Sequence, residues 1–369
     1  ALSTLSLGNA LCTIGENAFS DCTALTSVAL PDTVTPLGIG AFRRCNALTT
    51  VTIGDGIVRI ADETFADCSA LSALTFGRAV ESIGTGAFRN CPALTSLSLG
   101  GTVRTVGDSA FSGCTALTSV TFGENVQSIG DNAFDGCSAL TDLTLPAGLD
   151  RIGNGSFRGC TALLTLTLPD SVRTVGDSAF ADCRALRIVR LGGGLTDIGA
   201  NAFANDRSLL RITLGETLGT VGENAFSGCY RLVEVYNLSA LLLTPGTDTY
   251  GGVALYAYNV HTDTAAESGI REAGDYVFYV VSGVTYLVDY YGNESDLTIP
   301  AGYDGGTYIL RSYALADHPE LRTLVIPRGV TAIEFNAFGT SLQHVTSLVI
   351  GEGVTRIAPG ALSNCSDLR

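Results

Sequence analysis

Apolar and polar positions follow one another along this chain in a unit that recurs every 23 residues. One copy reads CTALTSVTFGENVQSIGDNAFDGC, from Cys114 to Cys137. Leu117, Val120 and Phe122 end in strict alternation with Ser119 and Thr121, the pattern of a half-buried strand. A turn follows, marked in most copies by Gly and in others by Pro, as at Pro146 and Pro169. A second apolar pair, Val126 and Ile129, then leads to Gly130 and the segment DNAFDGC, where a short helical turn carries Phe134 and Cys137 inward. Asp131 is placed as the N-cap of that turn, its carboxylate accepting backbone N–H bonds. The acidic positions Asp108, Asp131 and Asp177 read alternatively as a calcium site, although metal-binding β-helix repeats space Asp and Gly more densely.

Phe19, Phe42, Phe65, Phe88, Phe111, Phe134, Phe157, Phe180, Phe203 and Phe226 keep one register, and a Cys stands three residues after nearly all of them. A fixed period of this length marks a solenoid, in which one unit cannot bury its own apolar face and its neighbours complete the core. Roughly fourteen coils fit the chain length. Asp206 replaces the Cys between Cys183 and Cys229, and Ala61 replaces the usual Gly, so those coils are expected to pack less regularly.

The period breaks after residue 236, where composition also changes, since all 13 tyrosines lie between Tyr230 and Tyr313. Residues 276 to 291 read as two strands joined at Ser282 and Gly283, a hairpin signal. Residues 237 to 275 give no firm element. Repeats return with Leu297 and Ile299 on a strand, Leu315 in the Phe position, a further strand at Leu321, Leu324 and Ile326, Phe338 in register, and one residue inserted before Val345. The organisation is therefore a repeat array over 1–236, an irregular Tyr-rich insertion with a hairpin over 237–296, and resumed repeats over 297–369. The insertion's tyrosines either pack it onto the solenoid or form part of a ligand face, because Tyr joins a large apolar area to a hydroxyl.

The L-x-x-V-x-L strand, the I-G-x-x-A-F-x-x-C turn and the 23-residue period together resemble the BspA-like leucine-rich repeats of bacterial and protozoan surface proteins. The likeness covers residues 1 to 236 and resumes from about 297. It implies a leucine-rich-repeat solenoid, a right-handed superhelix with a parallel β-sheet on its concave face, displayed outside the cell for adhesion or ligand capture. It supplies no catalytic residues.

Composition narrows the chemistry. The chain has no Lys, so all 21 cations are Arg, and a P-loop or Schiff-base lysine is excluded. A formal charge of −15 disfavours nucleic acid and anionic membrane as partners of the whole surface. No apolar run approaches the roughly 18 to 20 residues of a membrane span, so direct membrane insertion is not expected. The missing initiator Met, and a first residue already inside a repeat, suggest a segment of a longer protein, with signal and anchor outside it. The chain contains no H-E-x-x-H, C-x-x-C, G-x-G-x-x-G or G-x-S-x-G, so an enzyme is not expected, and neither a cofactor nor a metal is implied. His318 and His344 fall at or near core positions, and only His261 remains open to pairing with a nucleophile. Of the 11 cysteines, ten share one position whose side chains point in parallel into the core, which favours buried free thiols over disulfides. Cys12 falls outward. Asn154, Asn237, Asn293 and Asn364 open N-x-S/T sequons, relevant only if a eukaryote secretes the protein.

Ser27, Thr50, Thr52, Ser96, Ser98, Ser119, Thr121, Thr165 and Thr167 alternate outward on the strands and give a mild hydroxyl face, interrupted at Asp142, Ile188, Arg190 and Arg211. Regular Thr pairs also raise ice binding as a more distant reading, which those interruptions weaken. Arg184, Arg187, Arg190, Arg207, Arg211 and Arg231 gather within 48 residues beside the break. Strand register sets Arg190 and Arg211 outward, next to Glu234 and Tyr236. Arg187, Arg190, Arg211, Glu234 and Tyr236 are thus the candidate binding surface, with a protein or an acidic glycan as the ligand suited to a guanidinium fork. The competing reading clamps the insertion by pairing these arginines with Asp263, Glu267 or Asp275. A rival to recognition altogether is a structural protein self-associating into a surface layer or filament.

Overall fold

The structure, a computed structural model, describes residues 2–369 and divides into two compact units, residues 1–264 and 265–369. Both are parallel-strand solenoids. In the first unit the alternating segments pair in register one period on, Ser27 opposite Thr50, Ser96 opposite Ser119 and Arg211 opposite Glu234, in three successive sheets that run from Ser27–Ala29 to Ala73–Thr75, from Ser96–Ser98 to Asp142–Thr144 and from Thr165–Thr167 to Asn259–His261. Val28, Val51, Leu97, Val120 and Leu166 at the strand centres are buried, while the residues on either side of each face outward. The second apolar pair of the repeat builds a sheet of its own, eight two-residue strands from Arg59–Ile60 to Thr220–Val221. The sequence showed that pair only as Val126 and Ile129.

The third side of each coil is not helical. Among the described residues the helical elements are two short 3-10 turns, Tyr250–Gly252 and Ser341–His344. In the expected helical turn after Gly130, Asn132 adopts a left-handed φ of 55°, which stops a helix from propagating. Its backbone N–H groups bond the next coil instead: Asn132 to the Asn154 carbonyl at 2.7 Å, Phe134 to Ser156 at 2.7 Å and Gly136 to Arg158 at 2.8 Å. Asp131 is accordingly not the N-cap of its own turn. Its Oδ1 accepts the N–H of Asn154 on the following coil at 2.8 Å, just as Asp108 Oδ1 accepts the N–H of Asp131 at 2.9 Å. Asn154 and Asp177 continue the ladder. Gly130 is required beside it, because a Cβ there would lie 2.7 Å from the Asp108 backbone nitrogen.

The Phe register becomes a column of stacked rings, with successive centroids from 5.0 to 5.5 Å apart and planes within 10° of parallel. All 11 cysteines are free, and eight of them are buried. From Cys45 onward the ladder thiols of this unit donate to the carbonyl of a Phe 26 residues earlier, as Cys68 does to Phe42 at 3.3 Å. The coils holding Ala61 and Asp206 do not pack less regularly, contrary to expectation. Rings 42, 65 and 88 stack at 5.4 and 5.3 Å, and rings 180, 203 and 226 at 5.5 and 5.2 Å. Thr64 stabilises the first of these coils by bonding the Ala61 carbonyl, and Asp206 the second by accepting the Cys183 N–H.

After Glu234–Asn237 the chain loops out, makes the 3-10 turn at Tyr250, and returns as strand Asn259–His261, parallel to the last strand after a 25-residue step. Val253 and Ala257 enter the core. Part of the segment that gave no firm reading is therefore one more coil.

The second unit opens with three antiparallel strands, Ile270–Ala273, Tyr276–Val281 and Val284–Tyr290. Ser282 and Gly283 both take positive φ, 51° and 78°, as a two-residue hairpin turn needs. The hairpin continues into parallel pairing with Tyr308–Leu310, Val330–Ile333 and Arg356–Ile357, while Asp296–Thr298, Thr323–Ile326 and Ser347–Ile350 form the other sheet. Leu324 sits opposite Leu348, a 24-residue step that absorbs the inserted residue. Phe278, Tyr290 and Tyr308 join Leu315 and Phe338 in its core.

Candidate functional site

Ser27, Thr50, Thr52, Ser96, Ser98, Ser119, Thr121, Thr165 and Thr167 are all exposed on the strands of the first unit, distributed over its three sheets and in register within each. The hydroxyl face ends at strand Ile188–Arg190, where Arg190 replaces Thr167 of the coil before. Arg190 is exposed and, among the described residues, makes no ion pair or side-chain hydrogen bond. Arg187 is half-buried, one residue before that strand.

The next strands differ in kind. Arg211 lies between Ile188 and Glu234, and Tyr236 between Thr213 and His261. Arg211 is half-buried, its guanidinium carbon 5.8 Å from the centre of the Tyr236 ring, a cation–π distance. Tyr236 stacks on His261 with centroids 4.6 Å apart. Glu234 is fully buried, and its Oε1 lies 3.1 Å from His261 Nε2. A carboxylate taken out of water needs such a partner. The structure thus brings Glu234 and Tyr236 against His261, sets Arg211 over the Tyr236 ring, and leaves Arg190 facing solvent. Of the five candidate residues, Glu234 and Tyr236 share the outward register without being exposed.

His261 lies within residues 237–275, whose sequence predicts no firm element. The signal was present, because N-V-H at 259 to 261 repeats the alternation of E-V-Y at 234 to 236, but two extra residues in the step hid it. His318 is buried as expected, with Nδ1 3.1 Å from Glu320 Oε1. His344 is a correction: it ends a 3-10 turn, is exposed, and pairs with Asp367 at 3.3 Å. Of the carboxylates considered as clamps, Glu267 pairs with Arg271 at 2.8 Å, and Arg184 turns to Asp182 of its own coil at 3.6 Å.

Among the described residues, no three His, Cys, Asp or Glu side chains stand together as metal ligands. The Oδ1 atoms of the Asp ladder face backbone N–H donors, an arrangement that serves coil stacking. Nor, among those residues, is any helix long and apolar enough to cross a membrane.

A model of the BspA-type leucine-rich repeat region matches the chain in six copies, over residues 1–118, 104–233 and 293–369. The chain belongs to the BspA-type leucine-rich repeat family. Among solved structures, a leucine-rich repeat protein from Bacteroides ovatus is 22% identical with a TM-score of 0.59, over 97% of this chain and 81% of that one. The pneumococcal vaccine antigen PcpA is 19% identical with a TM-score of 0.43, over 69% and 72%. A leucine rich cell surface protein from Faecalibacterium prausnitzii is 20% identical with a TM-score of 0.28, over 97% and 82%. No curated protein sequence matches significantly. The Bacteroides structure supports the fold of this BspA-type chain. Membership of the family is consistent with a protein-binding or recognition module. Residues 234–292 fall outside the family match, so Glu234, Tyr236 and His261 lie where this BspA-type chain departs from its family's repeat.

Proposed function

We propose that this chain is a non-enzymatic recognition module of the cell surface or secreted space, which captures a protein or an acidic glycan across the strand face of its first unit. The observation that carries the reading is Arg190, an exposed guanidinium without an intramolecular partner, set beside Thr167 of the coil before and Thr213 of the coil after. A planar fork of fixed N–H donors suits carboxylate and sulfate, and it stands out on a chain of net charge −15. Arg187 and Arg211 extend the positive patch on either side, while Glu234 and Tyr236, held by His261, set the position of Arg211 and form the border of the site.

The test uses the intact chain with two probes, a polyglutamate peptide and heparin, at low and physiological salt. Saturable binding to at least one of them, weakening as salt rises, is expected from screening of exposed charges. Light scattering over a protein concentration series accompanies it, and the mass should stay that of one chain. Absence of binding to both probes at low salt, or a mass that climbs steadily with concentration as a self-assembling layer protein requires, would reject the reading.

A further inference from the structure

The column of core thiols in the first unit has one carboxylic acid in it. Asp206 stands between Cys183 and Cys229 and is fully buried. Its Oδ1 accepts the Cys183 backbone N–H at 2.8 Å, and its Oδ2 has no hydrogen-bond partner. On either side the thiols of Cys183 and Cys229 donate to the carbonyls of Phe157 and Phe203 at 3.3 and 3.1 Å. The same register assigns the Phe180 carbonyl to residue 206. A neutral carboxyl can donate there as a thiol does, whereas a carboxylate is an acceptor only. In the second unit the place of Asp206 Oδ1 as acceptor is taken by a neutral group, since the Ser341 hydroxyl accepts the His318 N–H, 23 residues back, at 2.8 Å.

The surroundings disfavour a charge. Burial pushes the Asp206 carboxyl well above its ordinary range, the Cys183 N–H opposes this, and the nearby Asp182 carboxylate adds to it. Other titratable neighbours are the Cys183 and Cys229 thiols, which burial above all pushes up and which an ionised Asp206 would push further. Along the chain, Arg207 follows directly, and Arg231 on the next coil turns its Nη1 to the Arg207 carbonyl at 3.5 Å.

We propose that Asp206 is an acid-closed latch: its neutral carboxyl holds the coil between Cys183 and Cys229 in the stack, and its ionisation opens that coil and uncovers the two flanking thiols. Because the folded state holds the proton more tightly than the opened one, the latch is fully closed below the ordinary carboxyl range, about pH 4. The opening equilibrium then grows by up to about tenfold per pH unit, until the pH passes the folded-state value. The strand Arg211–Leu214 follows Asp206 within the same coil, so opening frees it whether or not Arg211 meets a ligand.

Pulsed thiol labelling, read by mass spectrometry from acid to mildly alkaline pH, tests the latch. The rate at Cys183 and Cys229 is divided by that at Cys114 and Cys137 in the same sample, which cancels the general ionisation of thiols. The ratio should rise with pH in the native chain and stay flat in Asp206→Asn and in Asp206→Cys, which restores the ladder residue. A flat ratio in the native chain, or an equal slope in Asp206→Cys, overturns the proposal. Asp206→Cys keeps the test decisive if Asp206→Asn fails to fold.

Discussion

Phe134 and Phe157 stack with ring centroids 5.2 Å apart and planes within 4° of parallel, although 23 residues separate them. Contact of this kind links each coil only to its neighbours, so stability is approximately a sum of coil and interface contributions. Phe134→Ala removes a ring stacked on both sides, on Phe111 and Phe157, and should cost about 3 to 5 kcal/mol. Urea denaturation would show it as a lowered midpoint. A midpoint close to that of the native chain would mean that the ring column contributes little.

Asp131 Oδ1 accepts the Asn154 N–H and its Oδ2 accepts a longer bond from the Asn154 side-chain amide at 3.3 Å, and the coil after that repeats the backbone bond with an amide, since Asn154 Oδ1 accepts the Asp177 N–H at 2.8 Å. Replacement by Asn should therefore be nearly neutral, because the acceptor geometry survives. Asp131→Ala strips the acceptor from the Asn154 N–H and should cost about 1 to 2 kcal/mol. Hydrogen exchange at the Asn154 amide reports the difference directly. Equal protection of that amide in both variants would dismiss the ladder as a stabilising device.

Burial pushes the Cys45 thiol up to about 11 and the Cys68 thiol up to about 12. In an unfolded chain the same groups ionise near pH 8.5. Their contribution is thus complete below about pH 8.5 and is lost as pH rises toward the folded values, by about 1.4 kcal/mol per unit for each thiol. A thermal midpoint that falls steeply above pH 9 is expected, and Cys68→Ala should flatten the slope. Under native conditions near neutrality Cys12, exposed on its coil, should be modified by a thiol reagent well before Cys45 or Cys68. Simultaneous labelling of all three would contradict the buried ladder.

The repeat was legible because its evidence is redundant: Phe134 or Cys137 alone says little, but ten rings in register leave one way to stack. Local conformation was less legible. DNAFDGC carries the marks of a capped helical turn, yet Asn132 takes a left-handed φ, and the backbone bonds made by stacking prevail over those a helix would make within one coil. No single copy of the sequence contains that competition. At the candidate site, register was readable for Arg190, Arg211, Glu234 and Tyr236, because strand alternation fixes the face. Burial was not, since it depends on a coil whose period stretches to 25 residues and whose His261 takes the place beside Tyr236. Asp206 was visible as an exception to the Cys ladder, and the N–H of Cys183 that accommodates it was not.

Arg190 and Arg211 belong to the same patch but should respond differently to the same substitution. Arg190 is exposed, and Thr167 stands at its position one coil earlier, so Arg190→Thr changes charge with little effect on packing. Its melting temperature should match that of the native chain, while affinity for whichever of heparin or polyglutamate binds falls about tenfold, the effect of losing one charge-assisted contact of about 1.4 kcal/mol. Arg211 lies over Tyr236, whose ring is buried against His261, so Arg211→Thr removes a cation–π contact as well as a charge. A loss of stability of about 1 kcal/mol should accompany its loss of affinity, together with faster proteolysis in residues 237–258, which join these strands. Two outcomes would count against the assignment. If Arg190→Thr leaves binding untouched, the exposed guanidinium is not a ligand contact. If both variants melt as the native chain does and only Arg211→Thr binds poorly, the recognising surface lies toward Tyr236 and His261 instead of along the hydroxyl face.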